Sequence, residues 1–135
     1  SSKKPYSSFL TNSVKESNYN EIIIGLNCDR NKLHSLINKR VDKMIQCGLI
    51  EEVEKLEKFK NLNALNTIGY KEIFDYLNNK TSLEESIEKI KTNSRRYAKR
   101  QLTYFKSNKT INWFDDRYEI TNIINLIKSK RITQQ

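Results

Sequence analysis

Three glycines, one proline, two cysteines and a single histidine are all this 135-residue chain has of the residues that bend, staple or ligate. So few glycines and prolines argue against a turn-rich strand sandwich and for helices. Cys28 and Cys47 are too few for a disulfide framework and lack a CxxC spacing. They read as reduced, partly buried thiols of a cytoplasmic protein. One His, His34, argues against a zinc site. No apolar run approaches the ~18 residues a membrane span needs. The opening Ser1-Ser2-Lys3-Lys4-Pro5 leads into no apolar signal region, and residues 1–20 read as irregular or flexible.

Acid is also missing, from one place. Residues 89–109 carry Lys89, Lys91, Arg95, Arg96, Lys99, Arg100, Lys106 and Lys109 and not one Asp or Glu. Residues 1–88 hold thirteen basic and thirteen acidic side chains, so the whole net charge of +9 lies in the last third. Drift toward Lys in an Asn-, Ile- and Lys-rich chain explains a scattered excess. It does not explain neutrality over 88 residues, or the Arg in the basic stretch. A basic surface studded with Tyr97, Tyr104 and Phe105 suits a polyanion, with nucleic acid the first candidate.

The apolar pattern is mainly helical. Residues 21–27, with Ile22-Ile23-Ile24, read as a short strand apolar on both faces, of the kind buried inside a sheet. Asp29 can cap a helix to about Cys47 whose stripe is Leu33, Leu36, Ile37, Val41, Met44 and Ile45, with Gly48 ending it. A shorter helix spans about 50–59, and another follows Ile68-Gly69-Tyr70 to about Leu77. Thr81-Ser82-Leu83-Glu84 reads as a capping box. It opens the longest helix, to about Phe105, with Leu83, Ile87, Ile90, Tyr97 and Phe105 as the expected inner stripe. Residues 110–114 read as a second strand, and Ile120, Ile123, Ile124 and Ile127 mark a last helix. Two short strands make no stable sheet of their own. The chain therefore reads as the helical carboxyl-terminal part of a larger α/β protein, residues 1–135 forming one piece of it.

On the long helix, Arg95 and Lys99, and likewise Arg96 and Arg100, are four apart and so neighbours. Like charges at this spacing destabilise a helix by a few tenths of a kcal/mol per pair, roughly, unless phosphates neutralise them. Gln101 and Thr103 can hydrogen-bond bases or sugars, and the aromatics can stack on an unpaired base. A plain solvated basic face fits the same composition. Gly69 ahead of a helix allows close approach of an anion, though a simple helix start fits as well. Arg40, beside a core stripe, is by its position either snorkelling or salt-bridged, or a bidentate diphosphate clamp. Asp115 and Asp116 read as a turn. No Walker-type glycine loop, Ser-His-Asp set or paired carboxylates are present.

Taken in order, several stretches resemble the carboxyl-terminal part of the tRNA dimethylallyltransferases, the isopentenyl-transferase family. They are Asp29-Arg30, Arg40-Val41-Asp42-Lys43-Met44, Gly48-Leu49-Ile50-Glu51-Glu52-Val53, Ile68-Gly69-Tyr70-Lys71-Glu72, Tyr76-Leu77 and Ser82-Leu83-Glu84-Glu85. Most specific is Arg96-Tyr97-Ala98-Lys99-Arg100-Gln101, and Trp113-Phe114 closes the match. The resemblance implies a P-loop-type α/β parent that moves a dimethylallyl group from its diphosphate to N6 of the adenosine 3′ of the tRNA anticodon. It implies that Arg40 faces the diphosphate. Contacts to the anticodon stem-loop then fall on Asn66, Thr67, Ile68, Gly69, Tyr70 and Lys71, and on the long helix at Lys99, Arg100, Gln101, Leu102, Thr103, Tyr104, Phe105 and Lys106; Arg95 and Arg96 join them as candidates from the charge pattern. Magnesium and nucleotide-type P-loop binding belong to the family's remaining part. So do the general-base Asp and an inserted helical domain, with Lys3-Lys4-Pro5 standing about where the family has a Thr-Gly-Lys turn.

The sequence departs from the family pattern at Leu36, where Arg is common, at Thr67, where Ala is usual, and at Tyr104, where Trp is usual. The chain alone is expected to be inactive and to self-associate through exposed strand edges. Two other readings stay open: a non-enzymatic helical RNA-binding module, and a helical domain whose basic face meets an acidic protein.

Overall fold

The computed structural model describes residues 21–115, 117 and 119–132, the side chains of 131 and 132 excepted; the expectation for residues 1–20 lies outside them. The elements run β1 (Ile24–Leu26), α1 (Arg30–Gln46), α2 (Leu49–Lys55), α3 (Tyr70–Leu77), α4 (Leu83–Ser107), β2 (Asn112–Phe114) and α5 (Ile120–Ile132). Two single 3₁₀ turns, Glu57–Phe59 and Asn63–Leu65, link α2 to α3. The molecule is mainly helical with one short parallel strand pair, as the sequence pattern predicts.

Local chemistry sets the boundaries. The Asp29 carboxylate accepts from the backbone N–H of Asn31 (2.8 Å) and Lys32 (3.1 Å), so α1 begins where its cap is. The capping box of α4 is one residue later than expected. Ser82 Oγ accepts from Glu85 N and Glu85 Oε2 accepts from Ser82 N, both at 3.2 Å. Thr81 instead pairs its hydroxyl with that of fully buried Ser86 at 2.7 Å. The second helix is also shorter than expected: α2 stops at Lys55, and Phe59, in the following 3₁₀ turn, is 52% exposed.

Val41, Leu49, Val53, Ile73, Phe74 and Ile90 are the buried core, one or two from each of α1 to α4. Removing such a side chain from water contributes about 1.5–3 kcal/mol. Helix α4 is the organising element, packing on both α1 and α3. Near the core it is also pinned by charge. Lys91 Nζ lies 2.8 Å from Asp42 on α1 and 3.3 Å from Glu88. The Asp42 carboxylate raises the Lys91 pKa, against the pull of burial and with help from Glu88. Its last buried residue is Ile90, and beyond it the expected inner stripe fails: Tyr97 is 49% and Phe105 47% exposed. A helix of 25 residues is about 37 Å long, longer than the three-helix core it leans on.

The strands are each three residues long, shorter than the expected 21–27 and 110–114, because the ladder runs only where the two segments face one another. Their register is Ile24↔Asn112, Gly25↔Trp113 and Leu26↔Phe114. Gly25 is required there. A Cβ would stand 2.7 Å from the Trp113 ring and 2.8 Å from the Ile111 side chain.

Candidate functional site

Arg40 follows from its place on α1. Leu33, Ile37, Val41 and Met44 form the stripe that turns toward α4, and Arg40 flanks the 3%-exposed Val41. Its side chain is therefore at the lip of the interface. It makes no hydrogen bond or ion pair to any other described residue. It opens into a groove of about 790 Å³ between α1, the loop before α3 and the middle of α4. Asn66, Thr67 and Ile68 form one wall; Tyr97, Arg100 and Gln101 form the other. The Arg100 guanidinium lies 5.9 Å from the Tyr97 ring centroid, close enough for a cation–π contact that orients it. Two unneutralised guanidinium groups thus border one concavity with an apolar floor. Such a floor suits a base or a prenyl chain, and the cations suit phosphate oxygens.

Other basic residues in the second half of α4 look another way. Arg96, Lys99, Leu102, Thr103 and Lys106 line a second cleft, of about 710 Å³, closed on its far side by Arg30 and His34. The Thr103 hydroxyl donates to the Lys99 carbonyl at 3.0 Å, leaving its oxygen to accept. Arg95 also borders this cleft but is half-buried and engaged: it donates to Asn38 Oδ1 (2.7 Å) and Thr92 Oγ1 (2.9 Å), tying α4 to α1. At the end of the helix Tyr104 is 74% exposed and stands edge-on to Phe105, ring centroids 5.3 Å apart. Leu36, on α1, is 53% exposed.

The segment read as one stretch of contacts, residues 66–71, is divided by the fold. Asn66, Thr67 and Ile68 face the groove, but Gly69 is buried. Its φ of 104° requires glycine. The Tyr70 hydroxyl donates to Glu52 on α2, and that carboxylate, more than burial or its charge alone, raises the Tyr70 pKa. Lys71 lies outside the groove, on a neighbouring surface with Asn61 and Asp75 that shares only Asn66 with it. What holds the loop was not evident from sequence reasoning. Glu72, 6% exposed, accepts from Gly69 N and from Asn93 Nδ2 of α4, both at 2.8 Å. The Gly-x-x-Glu spacing signals the first bond; nothing local signals the second.

Among the described residues no group of three or more His, Cys, Asp or Glu can hold a metal ion. Among the same residues no helix is long and apolar enough to cross a membrane.

Comparison with known proteins gives the family. The family model described as IPP transferase matches residues 1–108. The tRNA dimethylallyltransferase of Christiangramia forsetii is 51% identical over 127 residues, which are 94% of this chain and 42% of the relative. That of Flavobacterium johnsoniae is 49% identical, covering 91% of this chain and 41% of the relative. Among solved structures, the full-length tRNA isopentenylpyrophosphate transferase of Bacillus halodurans superposes with a TM-score of 0.74 at 41% identity, over 88% of this chain and 40% of that one. The tRNA delta(2)-isopentenylpyrophosphate transferase of Staphylococcus epidermidis gives a TM-score of 0.74 at 36% identity, over 87% and 39%. The chain thus spans about two fifths of the length of the relatives it matches.

Proposed function

This chain belongs to the IPP transferase family, and we propose that it is the carboxyl-terminal part of a tRNA dimethylallyltransferase. The carrying observation is that Arg40, with no partner among the described residues, opens into the same groove as Asn66, Thr67, Arg100 and Gln101. In this reading N6 of the adenosine 3′ of the anticodon attacks C1 of dimethylallyl diphosphate. The C–O bond breaks, and its electron pair leaves with the diphosphate. The amine proton passes to a base supplied outside this chain. Arg40 stabilises the charge that grows on the leaving diphosphate, an electrostatic role worth most in a site that excludes water. The target base is turned out of the anticodon loop, with the groove's apolar floor to receive it. Arg96, Lys99, Arg100 and Lys106 meet backbone phosphates, and Tyr104 offers a stacking face.

The P-loop that cradles phosphates, and any magnesium, belong to the rest of the parent enzyme, a cytoplasmic protein in this reading. The isolated chain is therefore inactive yet retains salt-dependent affinity for an anticodon stem-loop. Among the described residues its sheet has only two strands, with no third on either edge, which lets it self-associate; a strictly monomeric species at high concentration contradicts that part.

The experiment is reconstitution. Joined to the amino-terminal part of a relative, the chain should prenylate tRNA. In the joined protein Arg40→Ala should cut turnover far more than tRNA binding, by about 100-fold, as removal of a single charge-stabilising donor does. A silent Arg40→Ala refutes the diphosphate role.

A further inference from the structure

The wall of the groove formed by Asn66, Thr67 and Ile68 is tied down from behind. The tie is the Glu72 carboxylate. Both Glu72 oxygens are occupied: Oε2 accepts the Gly69 backbone N–H and Oε1 accepts the Asn93 side-chain N–H, each at 2.8 Å. Glu72 is 6% exposed and forms no salt bridge with a described residue. Burying a charge that only amide groups compensate is costly, and a neutral cap would end the loop as well. The arrangement makes sense if it joins two things that must stay in register. One is the peptide just after Asn66, Thr67 and Ile68. The other is Asn93, one and two helical turns before Tyr97 and Gln101 on the opposite wall.

We propose that Glu72 is a positioning residue that sets the width of the RNA groove by coupling the loop of residues 66–69 to α4 through Asn93. This rests on the reading of the groove as the RNA site. Without the link the loop swings about Gly69, whose left-handed backbone offers it freedom. The groove walls then lose their spacing. The coupling needs an acceptor facing Gly69 and a donor–acceptor match facing Asn93, but not the charge itself. Glu72→Gln keeps the first bond through its carbonyl, and its amide can donate to Asn93 once that side chain flips.

The test is a four-corner comparison in the 135-residue chain, binding a fluorescent anticodon stem-loop RNA at fixed salt. Glu72→Gln should bind within about twofold of the parent. Asn93→Asp opposes two carboxylates and should bind about tenfold more weakly, the cost of one charge-assisted hydrogen bond. The double variant Glu72→Gln with Asn93→Asp restores the match and should regain the affinity, which general destabilisation by two substitutions would not do. If Asn93→Asp does not fold, Asn93→Ala, which removes the donor without adding charge, takes its place. Its affinity should fall at least threefold, with faster amide exchange at Gly69. Single Asn93 variants that bind like the parent, or a double variant as weak as Asn93→Asp, overturn the proposal while leaving the groove reading intact. A parent chain that binds no RNA overturns both.

Discussion

Residues 83–93 and residues 94–107 form one continuous helix, α4, under opposite physical regimes. In the first stretch Ser86 and Ile90 are buried, a capping box starts the helix, and Lys91 is neutralised by Asp42 and Glu88. In the second, Arg96, Lys99, Arg100 and Lys106 form no ion pair with any described residue, and Tyr97 and Tyr104 are exposed. Arg95 marks the border, half-buried and bonded to Asn38 and Thr92. Where the helix packs on the core, Lys91 is matched within the chain. Where charges are left unmatched and aligned, as in the second stretch, they stand free for the polyanion of the proposed function.

The contrast can be broken from either end. Ile73→Ala empties a fully buried site beneath the first stretch and should cost about 2–5 kcal/mol in urea unfolding. RNA affinity of the fraction still folded should be unchanged. Ser82→Ala removes the cap acceptor and should cost about 1 kcal/mol, again without touching RNA binding. Alkali gives the smallest effect. Lys91 is held protonated by Asp42, and the Tyr70 hydroxyl by Glu52, so both folded-state pKa values are raised. Both contributions are complete below the ordinary values of about 10 and vanish as pH climbs through the raised ones. Thermal unfolding should therefore be flat with respect to these groups from neutrality to about pH 10 and decline above it, and Asp42→Asn should flatten the decline.

Much of this was legible in the residues, and the exceptions share a cause. The span of α1 follows from its i, i+3, i+4 stripe and the Asp29 cap. The capping box was read one residue early because Thr81 with Glu84 and Ser82 with Glu85 satisfy the same spacing. The buried Ser86 decides between them by engaging Thr81. Tyr97 and Phe105 continue a helical period past the point where the core ends, which periodicity cannot register. Strand length depends on a partner some ninety residues away. Arg95 looked like its neighbours, but Asn38, 57 residues earlier, engages it. Arg40, Arg100 and Gln101 were each singled out for a separate reason, and the fold places them around one groove. The link from Glu72 to Asn93 was not foreseen, since a bond across 21 residues between two helices leaves no local pattern.

The most direct test sets the two stretches of α4 against each other, one cation from each. Lys91→Gln should lower stability by up to about 1 kcal/mol and leave stem-loop RNA affinity unchanged. Arg100→Gln should weaken RNA binding about tenfold, with a shallower salt dependence, and leave stability within about 0.5 kcal/mol. Equal RNA affinities for Arg100→Gln and the parent chain, or a larger RNA defect in Lys91→Gln, would contradict the account.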